Sequence, residues 1–144
     1  MRRLLVLYAL LAALAGCGNY SDPPVVASSV VVTGPDAGMP MAAGYLEIGN
    51  HSGHGIRITR VASPEYGSVE MHETVVEDGI AKMRELPVLE IADGDTVVFE
   101  RGGRHLMLMR PVGTPETVTL NFYSGDVLLL SVSTAFTAAM DQGE

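Results

Sequence analysis

Apolar and polar residues alternate along most of this chain in short runs broken by glycine-containing turns, the pattern of strands with one buried face. Val25 to Thr33 is β-branched and predicts a first strand, ended by Gly34-Pro35-Asp36-Ala37-Gly38. Ala43 to Asn50 and Ile56 to Ala62 predict the next two, joined through His51-Ser52-Gly53-His54-Gly55, with a bulge expected to interrupt the second. Val69 to Val76 and Ile80 to Leu86 flank Asp78-Gly79, a dipeptide suited to a two-residue type I′ turn because both central residues need positive φ. Thr96 to Glu100 and Arg104 to Arg110 flank Gly102-Gly103, and Thr117 to Tyr123 and Val127 to Thr134 flank Ser124-Gly125-Asp126, so two more hairpins are expected. Without any long run of helical period, this spacing of turns favours an all-β Greek-key β-sandwich over a βαβ fold.

The chain start departs from this pattern. Arg2 and Arg3 precede an unbroken apolar run, Leu4 to Leu14, which has the length of a signal-peptide core and is too short for a membrane span. Leu14-Ala15-Gly16-Cys17 follows and resembles the bacterial lipobox, in which the cysteine is lipidated and becomes the first residue of the mature protein. The expected organisation is a lipoprotein signal peptide over 1–16, a lipidated tether over 17–24, one domain over 25–138 and a tail over 139–144. Acyl chains on Cys17 anchor such a domain to a membrane without spanning it, and its expected location is periplasm-facing, at the outer or inner membrane.

With 47% hydrophobic residues the chain is too apolar for a disordered protein, and nine basic against seventeen acidic residues disfavour nucleic acid as a partner. Removal of Arg2 and Arg3 with the signal leaves seven basic residues against seventeen acidic ones, a formal charge of −10. Cys17 is the single cysteine, so once it is lipidated the folded body has neither a disulfide nor a free thiol.

His72, Met83, His105 and Met107 carry the chemistry. A two-residue turn at Asp78-Gly79 pairs Glu77 with Ile80 and Thr74 with Met83, which makes His72 and Met83 diagonal neighbours about 7 Å apart on one face. His105 and Met107, separated by one residue, project from one face of their strand while Leu106 and Leu108 project from the other. Two imidazoles and two thioethers brought together would select soft Cu(I), because thioether sulfur is a poor ligand for Zn²⁺, Mg²⁺ or Ca²⁺. Thioethers carry no proton, so only imidazole protonation is expected to weaken binding as the solution is acidified.

The spacing His72, ten residues, Met83, twenty-one residues, His105, one residue, Met107 resembles the H-x10-M-x21-H-x-M motif of the PCu(A)C periplasmic copper chaperones. Val69-Glu70-Met71-His72-Glu73-Thr74, Lys82-Met83-Arg84 and Gly103-Arg104-His105-Leu106-Met107-Leu108-Met109 also resemble that family, and the likeness runs from about Ala43 to Val132. The resemblance implies a cupredoxin-like sandwich that binds Cu(I) at an exposed site and delivers it for CuA assembly in cytochrome c oxidase. The implied partners are the copper ion, oxidase subunit II or another copper chaperone. The stretch Met140-Asp141-Gln142-Gly143-Glu144 does not resemble the Met- and His-rich C-terminal tail of some family members, so no tail-based second site and one ion per chain are expected.

Other residues have plainer readings. Met71 alternates away from His72 and reads as packing, and Met109 shares the face of Met107 as a reserve thioether. His51 and His54 read as solvated turn residues, and Met39 and Met41 as loop residues that could form a weak accessory copper site, for which their spacing alone gives no support. A blue-copper electron carrier needs a cysteine ligand that the body lacks, and no nucleophile motif or HExxH pair marks an enzyme. The remaining alternative is a metal-free structural or adhesive lipoprotein.

Overall fold

The computed structural model describes residues 24–34 and 40–137. Cys17, Met39 and the 139–144 tail lie outside the described residues. The strands are β1 (Val25–Thr33), β2 (Met41–Asn50), β3 (Ile56–Ile58), β4 (Arg60–Ala62), β5 (Tyr66–Glu77), β6 (Ile80–Glu85), β7 (Leu89–Ile91), β8 (Thr96–Phe99), β9 (Arg104–Pro111), β10 (Thr117–Ser124) and β11 (Val127–Thr137). The main sheet runs β1-β11-β10-β4-β5-β9-β2, and β2 pairs back onto β1, so the hydrogen bonding closes on itself. The fold is all-β and cupredoxin-like, a sandwich closed into a barrel. Only the β1–β11 contact in this ring is parallel, and β3 and β7 form a separate two-stranded sheet among the described residues.

Alternation decides which side of each strand enters the core. Leu106 and Leu108 of β9, Leu46 and Ile48 of β2, and Val118, Leu120 and Phe122 of β10 are all almost completely buried. Residues between them on the same strands are half-buried or exposed and form the outer face. Truncating Leu106 or Leu108 to alanine would cost about 2–5 kcal/mol at such positions. Gly44 of β2 must stay small: a Cβ there would stand 3.1 Å from Leu106 Cβ and 3.3 Å from Leu108 Cδ1. This close approach seats β9 against β2.

The hairpins expected at Asp78-Gly79 and at Gly125-Asp126 are present. Glu77 pairs with Ile80, and Asp78 (φ 52°) and Gly79 (φ 76°) both adopt the positive φ that a type I′ turn requires. The hairpin expected at Gly102-Gly103 is absent. Instead β8 and β9 lie end to end along β2, Phe99 opposite Leu46 and Leu106 opposite Gly44, and the intervening residues make an excursion closed by Glu100 N–H to Arg104 O at 2.7 Å. Both strands take β2 as partner because it is long enough to serve both.

The stretch Ile56 to Ala62 breaks at Thr59, where the chain changes sheet. Thr59 N–H donates to Tyr123 O at 2.9 Å and Gly125 N–H donates to Thr59 Oγ1 at 2.9 Å, in place of a continuous ladder. The turn after β2 therefore joins two different sheets. It is held by Asn50, whose fully buried amide donates to His54 O at 2.8 Å and Ile91 O at 3.0 Å.

Glu65 ties the start of β5 to β10. Its Oε2 accepts from Thr119 N–H at 2.9 Å and from Ser63 O–H at 2.8 Å. Burial alone would raise its pKa, but these hydrogen bonds outweigh that and hold it below the ordinary carboxylate value. Its stabilisation is therefore full above the unfolded-chain pKa and is lost as pH falls through the folded one. Glu65→Gln is expected to lower stability by about 1 kcal/mol at neutral pH and to match the parent in strong acid. Urea unfolding at a series of pH values checks this; a gap that persists in acid would exclude the carboxylate charge as its source.

Candidate metal centre

Pairing of β5 with β9 creates the centre. In this antiparallel register Val69 faces Leu108 and Met71 faces Leu106, all four buried, so the intervening pairs lie on the outer face. His72 is directly opposite His105, and Glu70 is directly opposite Met107. The two imidazole rings stand 5.9 Å apart between centroids, tilted by 57°. His105 is only 8% exposed and the His72 side chain 15%, so both rings are largely withdrawn from water.

Each ring is oriented by a hydrogen bond through one nitrogen. His72 Nε2 lies 3.0 Å from Glu70 Oε2, and a carboxylate can only accept, so Nε2 carries the proton. His105 Nδ1 lies 3.1 Å from Gly103 O, again an acceptor, so Nδ1 carries the proton. The other nitrogens, His72 Nδ1 and His105 Nε2, are the two buried side-chain polar atoms among the described residues that lack any hydrogen-bond partner. In these tautomers both present lone pairs. A buried acceptor without a partner costs about 1–3 kcal/mol. Paired lone pairs of this kind, each backed by an acceptor on the far nitrogen, are how imidazoles are set to ligate a metal.

Gly103 O has a second role. It also accepts from Thr74 N–H at 3.1 Å, so the excursion between β8 and β9 is pinned to β5 by the same carbonyl that orients His105.

The two methionines enter from different directions. Met107 lies on the outer face two residues beyond His105, half-buried. Met83 of β6 is opposite Thr74, with Glu85 opposite His72, which makes Met83 the diagonal neighbour of His72. It is 55% exposed, and every residue of β6 is exposed, this strand pairing only with β5 among the described residues. The structure thus brings the two imidazoles side by side across the β5–β9 pair, sets Met107 on the same face and carries Met83 on an exposed flap.

Several other residues fall elsewhere. Met71 is buried in the core. His51 and His54 lie beyond the far end of β2, about 20 Å along the strand from the imidazole row, and His54 Nδ1 bonds the turn itself at Ser52 O. Met41 is in β2, not in a loop, and pairs with Met109. Two contributors escape a reading of the sequence alone: Gly103, which acts through its carbonyl, and Glu70. Glu70 was detectable in principle, since it shares a strand face with His72.

The closed barrel and this outer-face centre define a PCu(A)C-like domain. The family described as "lipoprotein LpqE-like" matches residues 24–134, and the chain belongs to it. Among solved structures, the chain is similar to the CuI-DR1885 solution structure from Deinococcus radiodurans, with 28% identity over 86% of this chain and 85% of that one and a TM-score of 0.60. It also resembles the copper-bound PCuAC domain from PmoF2, with 18% identity over 80% of this chain and 93% of that one and a TM-score of 0.60, a likeness of fold alone. Comparison with curated proteins finds no match.

The orphan nitrogen on His105 leads to a stability prediction. His105→Leu removes a buried unsatisfied acceptor at the loss of one hydrogen bond to Gly103 O, two effects of similar size. The metal-free variant is expected to be as stable as the parent within about 1 kcal/mol. Urea denaturation of both proteins without metal measures this, and a large loss would show that the imidazole is a packing residue.

Proposed function

We propose that this protein is an extracytoplasmic copper metallochaperone that holds one Cu(I) through His72, His105, Met107 and Met83 and delivers it for CuA assembly in cytochrome c oxidase. The observation that carries this reading is the pair of buried, unpartnered lone pairs on facing imidazoles, each ring locked by an acceptor behind it. The likeness to the CuI-DR1885 structure supports it independently. The reading is of a binding protein rather than an enzyme.

The donor set suits its cargo. Cu(I) favours soft ligands, and thioether with imidazole satisfies it without any thiolate to oxidise. His72 and His105 sit in the rigid β5–β9 pair and would fix the ion's position. Met83 rides the exposed hairpin and would be the first ligand displaced by an incoming donor. Transfer is then an exchange of one neutral ligand for another, needing neither a proton nor an electron from this chain.

Anchoring through Cys17 fits this geometry. The eight-residue stretch 17–24 spans at most about 28 Å, so a lipidated chain would keep the domain close to the bilayer. Val25 enters the barrel opposite Asn50, about 17 Å along β2 from the imidazole row. The proposed site would therefore lie well along the barrel from the point where the tether enters it. Subunit II of the oxidase or another copper chaperone is the proposed recipient.

Anaerobic competition with a chromophoric Cu(I) chelator tests the reading. The parent is expected to bind one ion tightly, and His72→Ala/His105→Ala to lose it. Glu70→Gln, which keeps the side-chain shape but removes the carboxylate behind His72, is expected to weaken binding by about 10- to 100-fold. Equal copper retention by the double-alanine variant would remove the site and leave a metal-free structural or adhesive lipoprotein.

A further inference from the structure

Two thioethers outside the imidazole row also face each other. Met41 opens β2 and is directly opposite Met109 of β9, which has Ser68 of β5 on its other side. Both methionines are on the outer face: Ala42, Leu106 and Leu108 beside them are buried, while Met41 and Met109 are half-buried. Methionine in a core fills irregular gaps, whereas these two side chains lie on the outer face and are only partly covered. Directly opposed residues have Cβ atoms about 5 Å apart, and three torsions on each side chain allow the two sulfurs to approach one ion.

The pair adjoins the centre already described. Met109 follows Met107 by one same-face step, about 7 Å along the strand. Ala43, opposite Met107, is the residue between Met41 and the imidazole end on β2, and its methyl is too small to wall the two apart. The cross-strand row itself, Met41, Met109 and Ser68, contains no carboxylate or imidazole to retain a hard cation. Arg110, whose guanidinium donates to Gly67 O at 3.3 Å, places a positive charge nearby and makes this the weaker location for a cation.

We propose that Met41 and Met109 form a second, weaker site for a soft monovalent ion, Cu(I) or Ag(I), joined to the imidazole row through Met107. An ion there exchanges neutral thioethers one at a time, so it can arrive or leave without proton or electron transfer. The expectation of one ion per chain becomes one tight ion and one weak one. The Met107 link rests on the copper reading above; the Met41–Met109 pair does not.

Silver titration of protein carrying ¹³C-methyl methionine tests this. The first equivalent of Ag(I) is expected to move the Met83 and Met107 methyl resonances, and the second those of Met41 and Met109, assigned through single leucine variants. Native mass spectrometry should show two silver ions on the parent, and Met41→Leu/Met109→Leu should lose the second. The proposal is overturned if that variant keeps the second ion, or if the Met41 and Met109 methyls stay still throughout. Shifts confined to Met41 and Met109 would support this site while removing the imidazole one.

Discussion

The centre depends on one register. β5 and β9 pair so that His72 is level with His105, and a slip of one residue would turn one imidazole into the core and an apolar side chain out of it. That slip is opposed by every buried residue of the two strands at once. Val69 and Met71 on one side and Leu106 and Leu108 on the other would lose their contacts, at about 1.5–3 kcal/mol for each large side chain exposed. Gly44 adds a steric condition from β2, since it admits Leu106 and Leu108 only at their present height. The apolar inner face thus sets the geometry of the polar outer one.

Orientation is a separate problem from position, and it is solved by acceptors. Glu70 and Gly103 each take the proton-bearing nitrogen of one ring, leaving the other nitrogen buried and unpaired. A structure selected for stability alone would not leave two such atoms, because each costs free energy that a partner would recover. Their coincidence on two neighbouring rings is the feature on which the proposed binding centre rests.

Local order was legible in the sequence where a few adjacent residues determine it. Asp78-Gly79 dictates its turn through φ, the turn dictates the β5–β6 register, and that register makes Met83 the diagonal neighbour of His72. Period-two alternation likewise separated His105 and Met107 from Leu106 and Leu108. Pairings set by distant contacts were not legible. Nothing near Gly102-Gly103 reveals that β8 and β9 share β2 instead of each other, and that arrangement is what delivers the Gly103 carbonyl to His105. β7 alternates but is only three residues long, too short for its pattern to stand out, and Met41 reads as loop until β9 is laid beside it.

The division of the four proposed ligands between two kinds of structure bears on how a carrier can both hold and release. Affinity needs donors that lose little freedom on binding, and the imidazoles meet that condition because each sits opposite the other in the β5–β9 pair, largely buried and held by a hydrogen bond through one ring nitrogen. Release needs at least one donor whose departure leaves the fold intact. Met83 meets that condition: among the described residues β6 pairs with β5 alone, none of its residues is buried, and the barrel closes without it. Displacing that thioether disturbs only the hairpin, whereas displacing an imidazole returns an unpaired nitrogen to a buried position. For the proposed ligand set, the energetically easier first step would therefore be at the exposed thioether, on the β6 side of the sheet.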